Sequence, residues 1–363
     1  MIYIIIFIIS MYFAFLSDKN FKIERKRRGI LYGIMAIMIP TLLASFRIEG
    51  VGTDTMYYVK NNFICAVSSS TFNEFNNLYT LEFLYNLMVF IVSRFTSNIH
   101  FLYFAIQLFI CGFVYLACYD ERKVTPIWSS YGLFLFLYYN RSLNMVRQSI
   151  ALAIILYAFK YVKNKKMLKY FMLVFIAYLF HKTAIIALVI YPLTRLINNK
   201  KSFIFKLTIF VCSIIFIFGY REIMLFLIEN HIVPKKYLFY VIGSESTILL
   251  IELVKKGLFL IIIFLFSKNL KQKYSFNSVY IYYMILDFLL YLVGFYANYA
   301  QRVSYYFGYF DIFLLSQIPL CIKDNLNKKL ITIILVIFFI IYFILYYIIL
   351  GYDSTYPYIS FFK

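Results

Sequence analysis

Apolar residues run along this chain in long blocks separated by short polar islands. Thirteen blocks are candidate helices: 2–16, 29–45, 81–95, 100–118, 126–140, 143–162, 168–180, 182–196, 204–220, 247–267, 278–296, 303–321 and 330–350. The last of them, which contains ITIILVIFFIIYFILYYIIL (331–350), has the roughly 20 residues needed to cross a hydrocarbon core. The pattern predicts an all-α fold: a polytopic helical membrane bundle forming a single membrane domain over 1–363.

Composition agrees with the pattern. Only 14% of residues are charged and 63% are hydrophobic, whereas soluble chains carry about 25% charge. The opening run MIYIIIFIISMYFAFL has no basic segment before it and no small-residue cleavage site after it, so it reads as a retained helix. Cysteines 65, 111, 118, 212 and 321 stand singly, and the three histidines are far apart; no metal site and no cofactor are expected.

The net charge of +20 would point to nucleic acid in a soluble protein, but its placement excludes that partner. Loops 17–29, 119–125, 160–169, 195–206, 268–276 and 322–330 hold 23 of the 36 basic and 5 of the 16 acidic residues, net +18. Lysine and arginine gather in short cytoplasmic loops, so these loops set the orientation in a lipid bilayer. Five candidates lie between the first basic loop and KYVKNKKMLK (160–169), and a return to the same side needs an even number. One must fail to cross. The short LEFLYNLMVFIVSRF (81–95), with Glu82, Asn86 and Arg94, is the expected interfacial or re-entrant helix. About twelve crossings then remain, with both termini outside and large outer loops at 46–80 and 221–246.

In this topology five polar islands share the outer face: FRIEGVGTDTMYY within 46–80, RSLNMVRQSIA (141–151), FHKTA (180–184), the 221–246 loop and NYAQRVSYY (298–306). At 3.6 residues per turn, Arg141, Asn144, Arg147, Gln148 and Ala151 fall on one helical face. Asn298, Gln301, Arg302 and Tyr305 repeat the i, i+3, i+4, i+7 pattern. A guanidinium at mid-bilayer costs at least about 2.5–3.5 kcal/mol, so paired arginine-and-amide stripes point to a polar cavity. Each island also has a plainer reading. Arginine snorkels to headgroups, Asp54 in VGTDT caps or turns, and His181 sits in a turn. Asp287 and Asp311 inside helices read as carboxylates bonded to neighbours, and Lys255 and Lys256 fit snorkelling or phosphate binding equally.

Taken in order, FRIEGVGTDTMYY (46–58), LEFLYNLM (81–88), NMVRQSIALA (144–153), FHKTA (180–184) and QRVSYY (301–306) resemble the EpsG-like group of Wzy-type polysaccharide polymerases. The resemblance implies a multi-pass glycosyltransferase of the bacterial cytoplasmic (inner) membrane. Such enzymes join undecaprenyl-pyrophosphate-linked oligosaccharide repeats at the outer face into O antigen, capsule or exopolysaccharide, alongside a flippase and a chain-length regulator. Arginine clamps suit a pyrophosphate leaving group, which gives Arg147 and Arg302 catalytic roles. His181, Asp54 and Glu82 are candidates for the base, in that order. Arg47, Gly52, Thr53, Tyr57, Asn144, Gln148, Gln301 and Tyr305 would bind substrate. An O-antigen ligase uses the same donor, and a flippase or exporter of lipid-linked sugars shares the architecture; both stay open at this point.

Overall fold

The computed structural model describes residues 1–198, 203–231, 235, 238, 249–295 and 300–362. These are helical, and the regular structure among them is α, 3-10 or π helix, with one isolated bridge between Arg47 and Ser360. Among the described residues, five helices are long and apolar enough to cross a membrane: Ile2–Lys22, Lys26–Ser45, Ile99–Glu121, Asn277–Phe295 and Asn325–Ile349. The chain forms two compact units, Met1–Ile185 with Ile322–Lys363, and Ile186–Cys321.

In the first unit, α1 (Ile2–Lys22) and α2 (Lys26–Ser45) lie together because small and hydroxyl residues let their backbones approach. Ser10 and Ser17 donate to the carbonyls of Ala36 (2.7 Å) and Gly29 (2.6 Å). Interhelical hydrogen bonds of this kind hold helices together where lipid removes the hydrophobic drive. Two short helices follow, α3 (Lys60–Ser68) and α4 (Phe72–Leu78); the second is capped by Thr71, whose hydroxyl accepts from the Glu74 N–H. Then come α5 (Phe83–Phe95), α6 (Ile99–Glu121), α7 (Ile127–Phe134), α8 (Asn140–Asn144), α9 (Val146–Lys163) and α10 (Met167–Phe180).

The ends of these helices sort into two sets. At one end, Phe21 of α1 packs on Tyr119 of α6 (4.8 Å between ring centroids), and Lys160 and Lys163 of α9 pair with Asp120 and Glu121. This end carries the basic loops 17–29, 119–125 and 160–169. At the other end, His100 Nδ1 lies 2.7 Å from the Ser45 carbonyl oxygen, and Tyr3 donates to the Thr355 carbonyl at 2.8 Å. Helix α5 has 13 residues, about 20 Å at 1.5 Å per residue. Glu82 before it is paired with Arg147, and Asn98 after it caps α6 beside His100, so both flanks of α5 sit at the end away from the basic loops.

Both expected helical stripes are interrupted. The backbone breaks at Met145 (φ −85°, ψ 63°) between α8 and α9, so Arg141 and Arg147 do not share one helical face. In the second unit the block 303–321 is not one helix but Tyr305–Gly308 and Asp311–Leu315, flanked by 3-10 turns at Ala300–Val303 and Ile318–Cys321. A 3-10 turn advances 120° per residue, not 100°, which removes the i+3, i+4, i+7 register that Gln301, Arg302 and Tyr305 would hold relative to Asn298. Asn298 lies outside the described residues, as do 232–234, 236, 237 and 239–246 of the 221–246 loop, whose first residues continue the helix Phe203–Glu229. The block 182–196 likewise opens as a 3-10 helix, Lys182–Val189, before Ile190–Asn198.

Candidate functional site

The end of the first unit away from the basic loops holds a connected polar cluster. Arg147, in the first turn of α9, pairs through Nη1 with Glu82 Oε2 and lies over the Tyr58 ring, 4.6 Å from its centroid. Tyr58 donates to Asp54 Oδ2 at 2.9 Å. Burial first, and the Asp54 carboxylate second, raise the Tyr58 pKa far above its ordinary value, so it stays a donor. Tyr85 completes the aromatic wall at 5.9 Å from the guanidinium. The backbone nitrogen of Lys182 lies 3.5 Å from Glu82 Oε1, which brings FHKTA to the same carboxylate; His181 Nδ1 lies 2.7 Å from Thr183 Oγ1.

Asn144 anchors the neighbouring loop. Its Oδ1 accepts from Thr53 Oγ1 and, at 3.2 Å, from the Asp54 N–H. Gly52 is in the left-handed half of backbone space (φ +92°), and a Cβ there would sit 2.5 Å from the Leu143 carbonyl oxygen. The close approach that only glycine permits is therefore to the chain's own backbone. Gly52→Ala is expected to cost about 1–3 kcal/mol from the backbone term alone, read as a lowered thermal midpoint of the purified protein. Gly50→Ala, with nothing within 4 Å of the added methyl, serves as the silent control.

The other expected site residues fall in different settings. Arg47 is only 1% exposed: Nη1 donates to the Ala44 carbonyl at 2.8 Å and the guanidinium lies over Tyr103 at 4.4 Å. Burial pulls its pKa down, partly offset by Tyr103. Tyr57 points outward with 74% exposure, and Gln148 is buried in α9. Gln301, Arg302 and Tyr305 belong to the second unit, Gln301 and Tyr305 buried and Arg302 half-buried.

Sequence reasoning missed the C-terminal strap. Residues 351–362 fold back over this end: Ile48 N–H bonds the Ile359 carbonyl (3.0 Å), Phe361 N–H bonds that of Phe46 (2.7 Å), and Gly52 N–H bonds that of Ser354 (2.8 Å). Asp353 reaches Asn144 Nδ2 at 3.0 Å and Arg141 Nε at 3.8 Å, while Arg141 Nη2 donates to Tyr346 at 2.9 Å. Three π-helical turns adjoin the cluster: Thr55–Val59, Leu135–Tyr139 and Ile344–Ile349. Such turns cluster at functional sites because they re-aim side chains within a helix. Apolar periodicity does not display them, so the sequence carried no signal for the strap.

Fold and site together define a multi-pass, all-helical membrane protein whose first unit carries a charged, aromatic-walled site at the end opposite the basic loops 17–29, 119–125 and 160–169. A model of the EpsG family matches residues 30–360, nearly the whole length, and the chain belongs to that family. Membership makes it a membrane protein of the polysaccharide-polymerase type. Comparison with curated proteins and with solved structures gives no match.

Proposed function

We propose that this protein is a Wzy-type glycosyltransferase that joins undecaprenyl-pyrophosphate-linked oligosaccharide repeats into a surface polysaccharide at the outer face of the bacterial cytoplasmic membrane. Beside family membership, one observation supports the reading most: Arg147 is a half-buried guanidinium with donor capacity to spare. Its Nη1 serves Glu82 and its side chain also bonds the Tyr58 hydroxyl, while among the described residues no group hydrogen-bonds its buried Nε. Buried donors are nearly always satisfied, so an open one at a polar site points to an absent acceptor.

In the reaction, a hydroxyl oxygen of one repeat attacks the anomeric carbon of the other chain. The bond from that carbon to the pyrophosphate oxygen breaks, undecaprenyl pyrophosphate leaves with the electron pair, and the hydroxyl proton passes to a base. Arg147 stabilises the charge that grows on the leaving oxygen. As phosphate oxygens engage the guanidinium they compete with Glu82, and the released carboxylate lies next to the 181–183 turn. His181 is the leading base, with Asp54 and Glu82 behind it.

The test is polymerisation in proteoliposomes, using lipid-linked repeats extracted from a host strain lacking this gene, followed as a ladder on a gel. A ladder from the wild-type protein is expected. Transfer to another acceptor, or movement of donor across the bilayer without a ladder, would overturn the reading in favour of a ligase or a flippase. A histidine base makes the rate rise through about pH 6–7, and His181→Gln should remove that rise. An unchanged profile in His181→Gln would exclude the histidine and promote Asp54.

A further inference from the structure

The turn that carries Asp353 is unusual in its backbone. Gly351, Asp353 and Ser354 all have positive φ, at +65°, +64° and +49°. Two of the three are not glycine, and side chains rarely tolerate this region. Strain of this kind persists where the surroundings over-determine a residue, and it collects at working sites. Here it aims a mostly buried carboxylate, 11% exposed, at two polar residues of α8. One carboxylate oxygen accepts from Asn144 Nδ2 at 3.0 Å, and the other lies 3.8 Å from Arg141 Nε.

The consequence follows from the amide. Asn144 has one donor end and one acceptor end. With Nδ2 held by Asp353, Oδ1 must face the opposite way, where it accepts from Thr53 and from the Asp54 N–H. Asp54 in turn accepts from Tyr58, whose ring lies under Arg147. A continuous chain of contacts therefore runs from Asp353 through Asn144, Asp54 and Tyr58 to the guanidinium. The Asp54 N–H, which can only donate, calls for Oδ1 on its side, and the carboxylate pins the other end; the amide is held at both ends only while Asp353 is present.

We propose that Asp353 is a positioning residue: by fixing the Asn144 amide it holds the 52–55 turn, and through Asp54 and Tyr58 it holds Arg147, in the geometry that the transfer reaction uses. The kinetic consequence rests on the polymerase reading; the structural consequence is measurable without substrate. A displacement of about 1 Å at a reacting group costs on the order of a hundredfold in rate. Asp353→Ala should therefore lower kcat about a hundredfold with the donor KM changed by no more than about twofold, the mark of lost transition-state geometry. Asp353→Asn, whose amide oxygen can still accept from Asn144, should recover most of that loss.

Two readouts decide it on the full-length protein in detergent. Backbone hydrogen exchange over 51–58 should rise in Asp353→Ala, rise at least as much in Asn144→Ala, which also removes the acceptor of the Asp54 N–H, and rise no further in the double variant than in Asn144→Ala, because residues acting through one contact are not additive. Additive effects, or an Asp353→Asn protein as impaired as Asp353→Ala, would show that the carboxylate acts through the Arg141 charge and would overturn the proposal. Unchanged exchange in Asp353→Ala would overturn it as well. If the wild-type protein makes no polymer, the functional reading fails, and the exchange result still decides the positioning role.

Discussion

Arg147→Ala is expected to abolish polymer while leaving the protein inserted, with single repeats accumulating on their lipid carrier. The guanidinium is 21% exposed and its carboxylate partner Glu82 is 10% exposed, so this pair is neither a solvated surface bridge nor a sealed core pair. Removing one preorganised donor to a developing oxyanion costs about 10²–10³ in kcat, and here the donor also carries the charge. Arg147→Lys restores the charge but not the two-point geometry that a guanidinium offers phosphate. It should fall between the two, with shorter polymer than wild type.

Loss of activity through misfolding is a separate outcome and can be separated. Truncation leaves the Glu82 carboxylate without its cation, which costs about 1–3 kcal/mol for a buried acceptor. The exchange Glu82→Arg with Arg147→Glu keeps an ion pair at the position but moves the cation off α9. That double variant should recover the thermal midpoint lost in Arg147→Ala and still make no polymer. Normal-length polymer from Arg147→Ala, or from the exchanged pair, would remove Arg147 from the reaction.

How much of this was legible before the structure depends on the length scale of the signal. The long crossings α1, α2 and α6 are visible as blocks because a membrane helix needs apolar residues on every face. The brevity of α5 is visible for the same reason. Breaks inside polar-flanked blocks are not: RSLNMVRQSIA fits one helical period throughout, yet the chain turns at Met145. Periodicity assumes 100° per residue, and the 3-10 and π turns at Ala300–Val303, Leu135–Tyr139 and Ile344–Ile349 depart from it. Arg147, Glu82, Asp54 and Asn144 were each legible as polar residues that a greasy chain has no local reason to carry. Their shared location follows from contacts 65 to 91 residues apart. Asp353 was not singled out because GYDSTYPY (351–358) follows the last apolar block and carries no periodic pattern.

The second unit offers the largest expected effect on stability. Lys256 on the helix Leu250–Lys273 pairs with Asp287 on the helix Asn277–Tyr291, and their side chains are 4% and 1% exposed. Lys255 pairs with Glu252 at 2.6 Å one turn away, and Asp311 is buried close by. Lys256 also faces the rings of Tyr291 and Tyr305, at 5.1 and 5.7 Å. Packing around Asp287 is tight: a Cβ on Gly308 would meet its Oδ1 at 2.7 Å. Taking two charges out of water is costly, and their attraction offsets that cost only while both are present. Lys256→Met leaves the Asp287 carboxylate buried without its cation and beside a second acid, so it is expected to cost about 3–5 kcal/mol. Asp287→Leu alone should cost a similar amount by stranding the ammonium. The double variant Lys256→Met with Asp287→Leu replaces the pair by apolar groups of similar length, and for buried pairs that exchange is often neutral or stabilising. Thermal unfolding of the purified proteins, at one scan rate, should therefore show two low midpoints and one near wild type. Single variants as stable as the wild type would mean that water reaches the pair; a double variant as unstable as the singles would mean that the pair specifies the helix packing itself.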